Sequence, residues 1–137
     1  MAGNGLGGVE QEAAAGKHVL IVDDEAGTRA LLKATVEGSS VPSRISQASD
    51  GDAALAIARR DRPDLVLLDI VLPGSTSSGV LVCQELCRDS RTKVVIVSGQ
   101  AGMAIVNACL TAGAIDHVRK PFSVPDLRGR IDEWLAG

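Results

Sequence analysis

Aromatic side chains are almost missing from this chain of 137 residues, which has one Phe, one Trp and no Tyr. A core without rings must be built from Val, Ile, Leu and Ala, and that choice suits parallel strands covered on both faces by helices. No apolar run approaches the ~20 residues of a membrane span. The first ten residues, MAGNGLGGVE, have neither the basic nor the apolar stretch of a secretory signal. Excess positive charge is missing too: the net charge is −3, so the total offers nothing to nucleic acid or an anionic membrane surface. Cysteine is scarce and odd in number, with three residues. That excludes a fully paired disulfide framework and points to a reducing, cytoplasmic setting.

What the chain does have is a regular alternation. Hydrophobic residues make up 45%, enough for the core of one ordinary domain. Residues 1–16 are rich in Gly and Ala without any period and read as a mobile tail, leaving 17–137 as the folded unit. Short β-rich runs follow at HVLIV (18–22), RISQA (44–48), LVLL (65–68), KVVIVS (93–98) and IDHVR (115–119). Between and after them, residues 26–37, 52–60, 80–88, 101–112 and a segment from Ser123 onward carry apolar residues at helical spacing. Ser123-Val-Pro-Asp126 has the form of a capping box with Pro in the first turn. Five strands and five helices in strict alternation predict an α/β fold: a doubly wound, five-stranded parallel sheet of flavodoxin-like order 2-1-3-4-5.

In such a sheet the ligand site lies outside the carboxyl ends of the strands. There the sequence places Asp23, Asp24 and Glu25 after the first strand and Asp69 after the third. It places Ser98-Gly99 after the fourth and Lys120-Pro121 after the fifth. The stretch DLVLLDIVLPGSTSSG (64–79) poses the question most sharply, since a buried aliphatic strand stops at a carboxylate. A lone buried charge costs several kcal/mol, so Asp69 needs compensation. Carboxylates gathered at one crevice repel by roughly 4 kcal/mol per close pair at ~4 Å and an effective dielectric of ~20. A divalent cation with oxygen ligands removes that cost, and Mg²⁺ suits few protein donors and a shared phosphate. Metal, lysine, hydroxyl and a nucleophilic carboxylate are the parts of phosphoryl transfer.

With VDDE (22–25), LLDIVLPG (67–74), SG (98–99) and KPF (120–122) in this order, the chain from about Lys17 onward resembles the receiver domain of bacterial two-component response regulators. The resemblance implies that Asp69 accepts a phosphoryl group from a phosphohistidine on a sensor histidine kinase or a histidine phosphotransfer protein. It implies Mg²⁺ held by Asp24 directly, Asp23 through water, Asp69 and the carbonyl of Val71. Ser98 would move onto the phosphoryl group and Lys120 would pair with it, across a Lys-Pro bond that is usually cis in the family. Such a domain is not an enzyme on other substrates; it catalyses its own phosphorylation and dephosphorylation, and it switches a surface for a downstream protein. Nothing in the chain implies direct nucleic-acid or membrane contact.

Three departures qualify the resemblance. The loop GSTSSG (74–79) is longer than usual and lacks the customary acid, and it reads as a mobile loop beside the site. His117 stands three residues before the lysine, where the family carries Tyr or Phe, so it becomes the switch partner of Ser98. From Ser98 to Ile115 no residue is charged, and Met103, Ile105, Val106 and Leu110 cannot all face inward on one helix. The resulting apolar surface suits a partner or a homodimer through the fourth helix, fifth strand and fifth helix.

The other polar and sulfur residues have plainer readings. Ser98 also qualifies as the cap of the fourth helix. Cys83 and Cys87, four apart on a helix, and Cys109 on another read as small buried apolar residues rather than metal ligands. His18 starts a strand, Trp134 anchors the core, and Arg59, Arg60 and Arg62 form a solvated helix end. No residues follow the fifth helix, so a stand-alone receiver is the expectation, against a receiver cut from a larger regulator. A phosphohydrolase that forms an aspartyl phosphate is the rival from another class; such enzymes typically carry a second acid where this chain has Val71. A receiver that is never phosphorylated is a further alternative, but the site residues are all present.

Overall fold

The computed structural model describes residues 16–72, 78–99 and 101–137. The tail as far as residue 15 and the loop at 74–77, both expected to be mobile, lie outside the described residues. The described elements alternate without exception: β1 (Lys17–Val22), α1 (Ala26–Glu37), β2 (Ser43–Ala48), α2 (Gly51–Asp61), β3 (Leu65–Leu68), α3 (Gly79–Leu86), β4 (Lys93–Ser98), α4 (Met103–Ala112), β5 (Asp116–Arg119) and α5 (Val124–Ala136). All four strand pairings are parallel, in the order β2-β1-β3-β4-β5. The expected fold and strand order are those observed.

The aliphatic runs explain this choice. In β1, β3 and β4 nearly every residue is buried, as happens when helices cover both faces of a strand. Side chains alternate between the faces. Leu20, Val22, Val66, Leu68, Val94 and Ile96 face α2, α3 and α4 through Ala54, Val82, Leu86 and Val106. Val19, Ile21, Leu65, Leu67, Val95 and Val97 face α1 and α5 through Leu32, Val36, Leu127, Ile131 and Leu135. The edge strand β2 shows the mixed exposure that its polar residues predict. Trp134 packs half-buried against the α1/α5 layer, with the Arg130 guanidinium 5.3 Å from its ring centre.

Local chemistry sets the helix ends. Asp50 accepts from the Ala53 N–H at 2.8 Å, Ser78 from Leu81 at 3.2 Å and Ser123 from Asp126 at 3.3 Å, each satisfying a first-turn donor. α2 closes on Arg62, a non-glycine residue at φ 47°, before Pro63. Two boundaries differ from expectation by two residues, the others by one at most. α3 stops at Leu86 because Arg88 turns its N–H to Glu85 at 3.2 Å. α4 starts at Met103 because Gly102 is its N-cap, and that cap makes no side-chain bond. Ser98 is therefore not the cap of α4; it ends β4, and its hydroxyl is left for another use. One glycine is dictated by space: a Cβ on Gly79 would lie 1.9 Å from the Ile70 carbonyl oxygen, so α3 can approach the segment after β3 only without a side chain there.

Candidate functional site

Asp23 and Asp69 continue neighbouring strands and keep ladder bonds while their side chains turn to the sheet edge. The Asp23 N–H donates to the Ala48 carbonyl at 3.1 Å, and the Asp69 N–H to the Val22 carbonyl at 2.9 Å. Both residues are buried, at 1% and 6% exposure, whereas Asp24 is exposed. Carboxylate oxygens of Asp23, Asp24 and Asp69 all lie within 4.8 Å of one another, the one such acidic cluster among the described residues.

Lys120 answers two of the three acids. Its Nζ donates to Asp23 Oδ2 at 2.6 Å and to Asp69 Oδ2 at 3.1 Å. β5 delivers it here, the Lys120 N–H donating to the Ser98 carbonyl at 3.2 Å before a cis bond to Pro121. The remaining carboxylate oxygens take backbone donors. Asp23 Oδ1 accepts from Glu25 and Asp69 Oδ1 from Val71, both at 2.9 Å.

These surroundings shift the charges. Burial holds the Asp69 carboxyl above the usual carboxylate range, helped by Asp23 and opposed by the Val71 N–H and by Lys120. For Lys120, burial works downward, but its bonds to Asp23 and Asp69 outweigh it, and the ammonium is held above its ordinary value. Three acids against one ammonium leave the crevice short of positive charge. The donor set is hard oxygen throughout, which fits Mg²⁺: Asp23, Asp24 and Asp69 can hold it without rearranging the strands.

A cleft of about 460 Å³ opens over this cluster, walled by Asp24, Asp69, Val71, Ser98 and Lys120. Val71 lines it half-exposed. The Ser98 hydroxyl is buried and without a hydrogen-bond partner. His117 pairs in register with Ile96, two residues before Ser98, so the two side chains share one sheet face. The His117 Nε2 is likewise buried and unpartnered.

Asp23, Asp24, Asp69, Ser98 and Lys120 thus converge, whereas His117 lines a separate cleft with Phe122 and Arg130, and the Val71 group bonded to Asp69 is its N–H. Sequence reading missed Arg29, whose guanidinium donates to the Asp23 carbonyl at 2.7 Å. The signal was its place one turn into α1, four residues after Glu25. A second cleft, about 470 Å³, lies at the opposite sheet edge among Arg59, Arg62, Arg88 and Arg91. It holds none of these acids, and Asp89 and Glu85 already pair with three of its arginines.

The response regulator receiver domain family model matches residues 19–132. A probable transcriptional regulator, ycf27, of Guillardia theta is 39% identical over 113 residues, covering 82% of this chain and 43% of that protein. The DNA-binding response regulator MtrA of Mycobacterium tuberculosis is 35% identical over 115 residues, covering 84% and 49%. The chain spans about half the length of the curated relatives it matches. Among solved structures, a CheY-like receiver domain protein of Methanospirillum hungatei superposes with TM-score 0.79 at 27% identity, covering 88% of this chain and 94% of that one. The receiver domain of NtrX from Brucella abortus gives 0.75 at 30% identity, covering 86% and 98%. No helix among the described residues is long and apolar enough to cross a membrane.

Proposed function

The chain belongs to the response regulator receiver domain family, which works in two-component signalling, and from that premise we propose that Asp69 is its phosphoryl acceptor. The observation that carries the reading is the meeting of Asp23, Asp24, Asp69 and Lys120 at one crevice, from strands spread over about a hundred residues. Asp69 attacks the phosphorus of a phosphohistidine on a sensor kinase or phosphotransfer protein. An O–P bond forms, the P–N bond breaks, and the imidazole leaves with the electron pair. Asp23, Asp24, Asp69 and the Val71 carbonyl would hold Mg²⁺, which supplies positive charge to the transferring phosphoryl oxygens.

The chain's own groups do the rest. The Val71 N–H and Lys120 orient the Asp69 carboxylate, and burial keeps it poorly solvated and nucleophilic. Once the acyl phosphate exists, Lys120 faces one more anionic oxygen and the unpartnered Ser98 hydroxyl has an acceptor to reach. Movement of Ser98 changes the space beside His117, whose own free nitrogen makes it the coupled switch residue. The readout is the apolar surface of Met103, Ile105, Leu110 and Ile115, which docks a downstream protein or a second copy. On this reading the domain is cytoplasmic and catalyses only its own phosphorylation and hydrolysis. Val71, where phosphohydrolases of related architecture carry an acid, argues against turnover of free phosphate esters.

A second reading is favoured by the lengths of the relatives: the receiver forms part of a longer, DNA-binding regulator and controls an output domain. The boundaries of the full gene separate the two. The shared claim is tested with acetyl phosphate and Mg²⁺. Wild type acquires one acid-stable, base-labile phosphoryl group and Asp69→Asn acquires none. Equal labelling of the two would overturn the assignment.

A further inference from the structure

Away from the carboxylates, the three cysteines meet between α3 and α4. Cys83 and Cys109 are fully buried, whereas Cys87 is half-buried and reachable from solvent. The Cys83 and Cys87 sulfurs are 3.9 Å apart. Cys83 Sγ also lies 3.8 Å from the Cys109 carbonyl oxygen, on α4. Gly113, at φ +127°, caps α4 against Cys87; a Cβ there would stand 3.1 Å from Cys87 Cβ and 3.4 Å from its sulfur. Cys83 therefore meets α4 at Cys109, and Cys87 faces Gly113, the residue that ends that helix.

We propose that Cys83 and Cys87 form a peroxide-sensitive dithiol that closes to an intrachain disulfide and transmits oxidation to α4. Residues four apart on an α-helix have Cα atoms about 6 Å apart, within the roughly 4.4–6.8 Å that disulfides span. The Cβ atoms must draw closer, to about 3.8 Å. Cys87 is the C-cap, beyond the last helical residue, so that movement disturbs only the final turn and its Cys87 N–H to Cys83 carbonyl bond.

The two thiols have unequal roles. The hydrogen bond from Cys83 lowers the pKa of the Cys87 thiol against the opposing effect of burial. The same bond, followed by burial, pushes the Cys83 thiol up, so it keeps its proton while Cys87 is reduced. The half-buried Cys87 sulfur, the one solvent can reach, reacts first. The Cys87 thiolate attacks a peroxide oxygen, the O–O bond breaks, and sulfenic acid and hydroxide result. The Cys83 sulfur then attacks the sulfenic sulfur, the S–O bond breaks, and the two protons leave with the oxygens. In sum, two thiols and one hydrogen peroxide give one disulfide and two waters. This input is independent of Asp69.

The test treats the full chain with one equivalent of hydrogen peroxide. Free thiols then fall from three to one, the intact mass falls by two hydrogens, and peptide mapping links Cys83 to Cys87. Dithiothreitol reverses the change. Cys109→Ser still forms the bond and Cys87→Ser does not. Phenylarsine oxide, a probe for adjacent thiols, binds once per chain to wild type and to Cys109→Ser. On oxidation, amide exchange across Met103–Gly113 quickens. Three reactive thiols after peroxide, a Cys83–Cys109 link, a sulfinate on Cys87, or unchanged exchange in α4 would overturn the proposal.

Discussion

Replacing Lys120 with Met removes the ammonium and keeps much of the stem. Its head lies between two buried carboxylates, with Asp23 1% and Asp69 9% exposed at the side chain and Lys120 20%. At the 4.8 Å limit of the acidic cluster, two unit charges repel by about 3.5 kcal/mol at an effective dielectric of ~20. Deleting one partner of a buried ion pair costs about 3–5 kcal/mol. The crevice is open to water, so the lower end applies, about 3 kcal/mol, or a fall in Tm of roughly 10 °C for a domain of this size. Urea unfolding at pH 7 in EDTA measures it. The pH dependence has a definite sign. Burial raises Asp69, and without Lys120 it rises further. A carboxyl raised in the folded state destabilises once ionised, so the deficit of Lys120→Met should shrink as pH falls below the raised Asp69 value toward the unfolded value of ~3.9. Mg²⁺ should shrink it at pH 7 by supplying the missing charge. In wild type, the raised Lys120 contributes stability that is fully present below ~10.4 and lost as pH climbs through its folded value. A variant as stable as wild type in EDTA, or one unmoved by both acid and Mg²⁺, would refute the idea that Lys120 neutralises the cluster.

Gly79→Ala puts a methyl 1.9 Å from the Ile70 carbonyl oxygen, which is backbone and cannot swing away. The expected cost is about 1–3 kcal/mol in denaturant, with weaker phosphorylation because the displaced segment adjoins Asp69. Burial holds His18 below the ordinary histidine value, with Arg44 adding to it and Asp61 and Asp64 opposing. A base depressed on folding contributes stability above ~6.5 that is lost as pH falls through its folded value. His18→Gln, which has no titrating ring, should flatten that part of the acid limb in thermal melts. Ile105→Glu places a charge on the exposed face of α4. In the presence of beryllofluoride and Mg²⁺, light scattering should show any wild-type self-association abolished, or pull-down of a cognate target lost, with unchanged labelling at Asp69.

Strand order and site were legible for one physical reason: β1, β3 and β4 are buried on both faces, so their sequences are unbroken aliphatic runs that end abruptly in polar groups. Once the runs are ordered 2-1-3-4-5, Asp23, Asp69, Ser98 and Lys120 have nowhere else to meet. Other features depend on relations that no local pattern records. Ser98 looks like a cap in sequence because Ser before a helix usually is one. Here β4 runs through Ser98 and α4 begins only at Met103, after the N-cap Gly102, so Ser98 stays in the strand. That Lys120 lies nearer Asp23 than Asp69 is a matter of tenths of an ångström between strand ends. The contact of Cys87 with Gly113 joins two helices whose facing was not set by periodicity alone, since α4 is apolar almost all round.

The ammonium comes from the last strand, and that ordering has a consequence during synthesis. A ribosome that has released β1 to β4 has released every acid of the crevice and no lysine to hold them together. A nascent chain at that stage carries its charges unbalanced, and the edge of β4 is still without a neighbour. The charge that balances these acids therefore arrives late, with residue 120, and the helix that covers one face of the sheet later still.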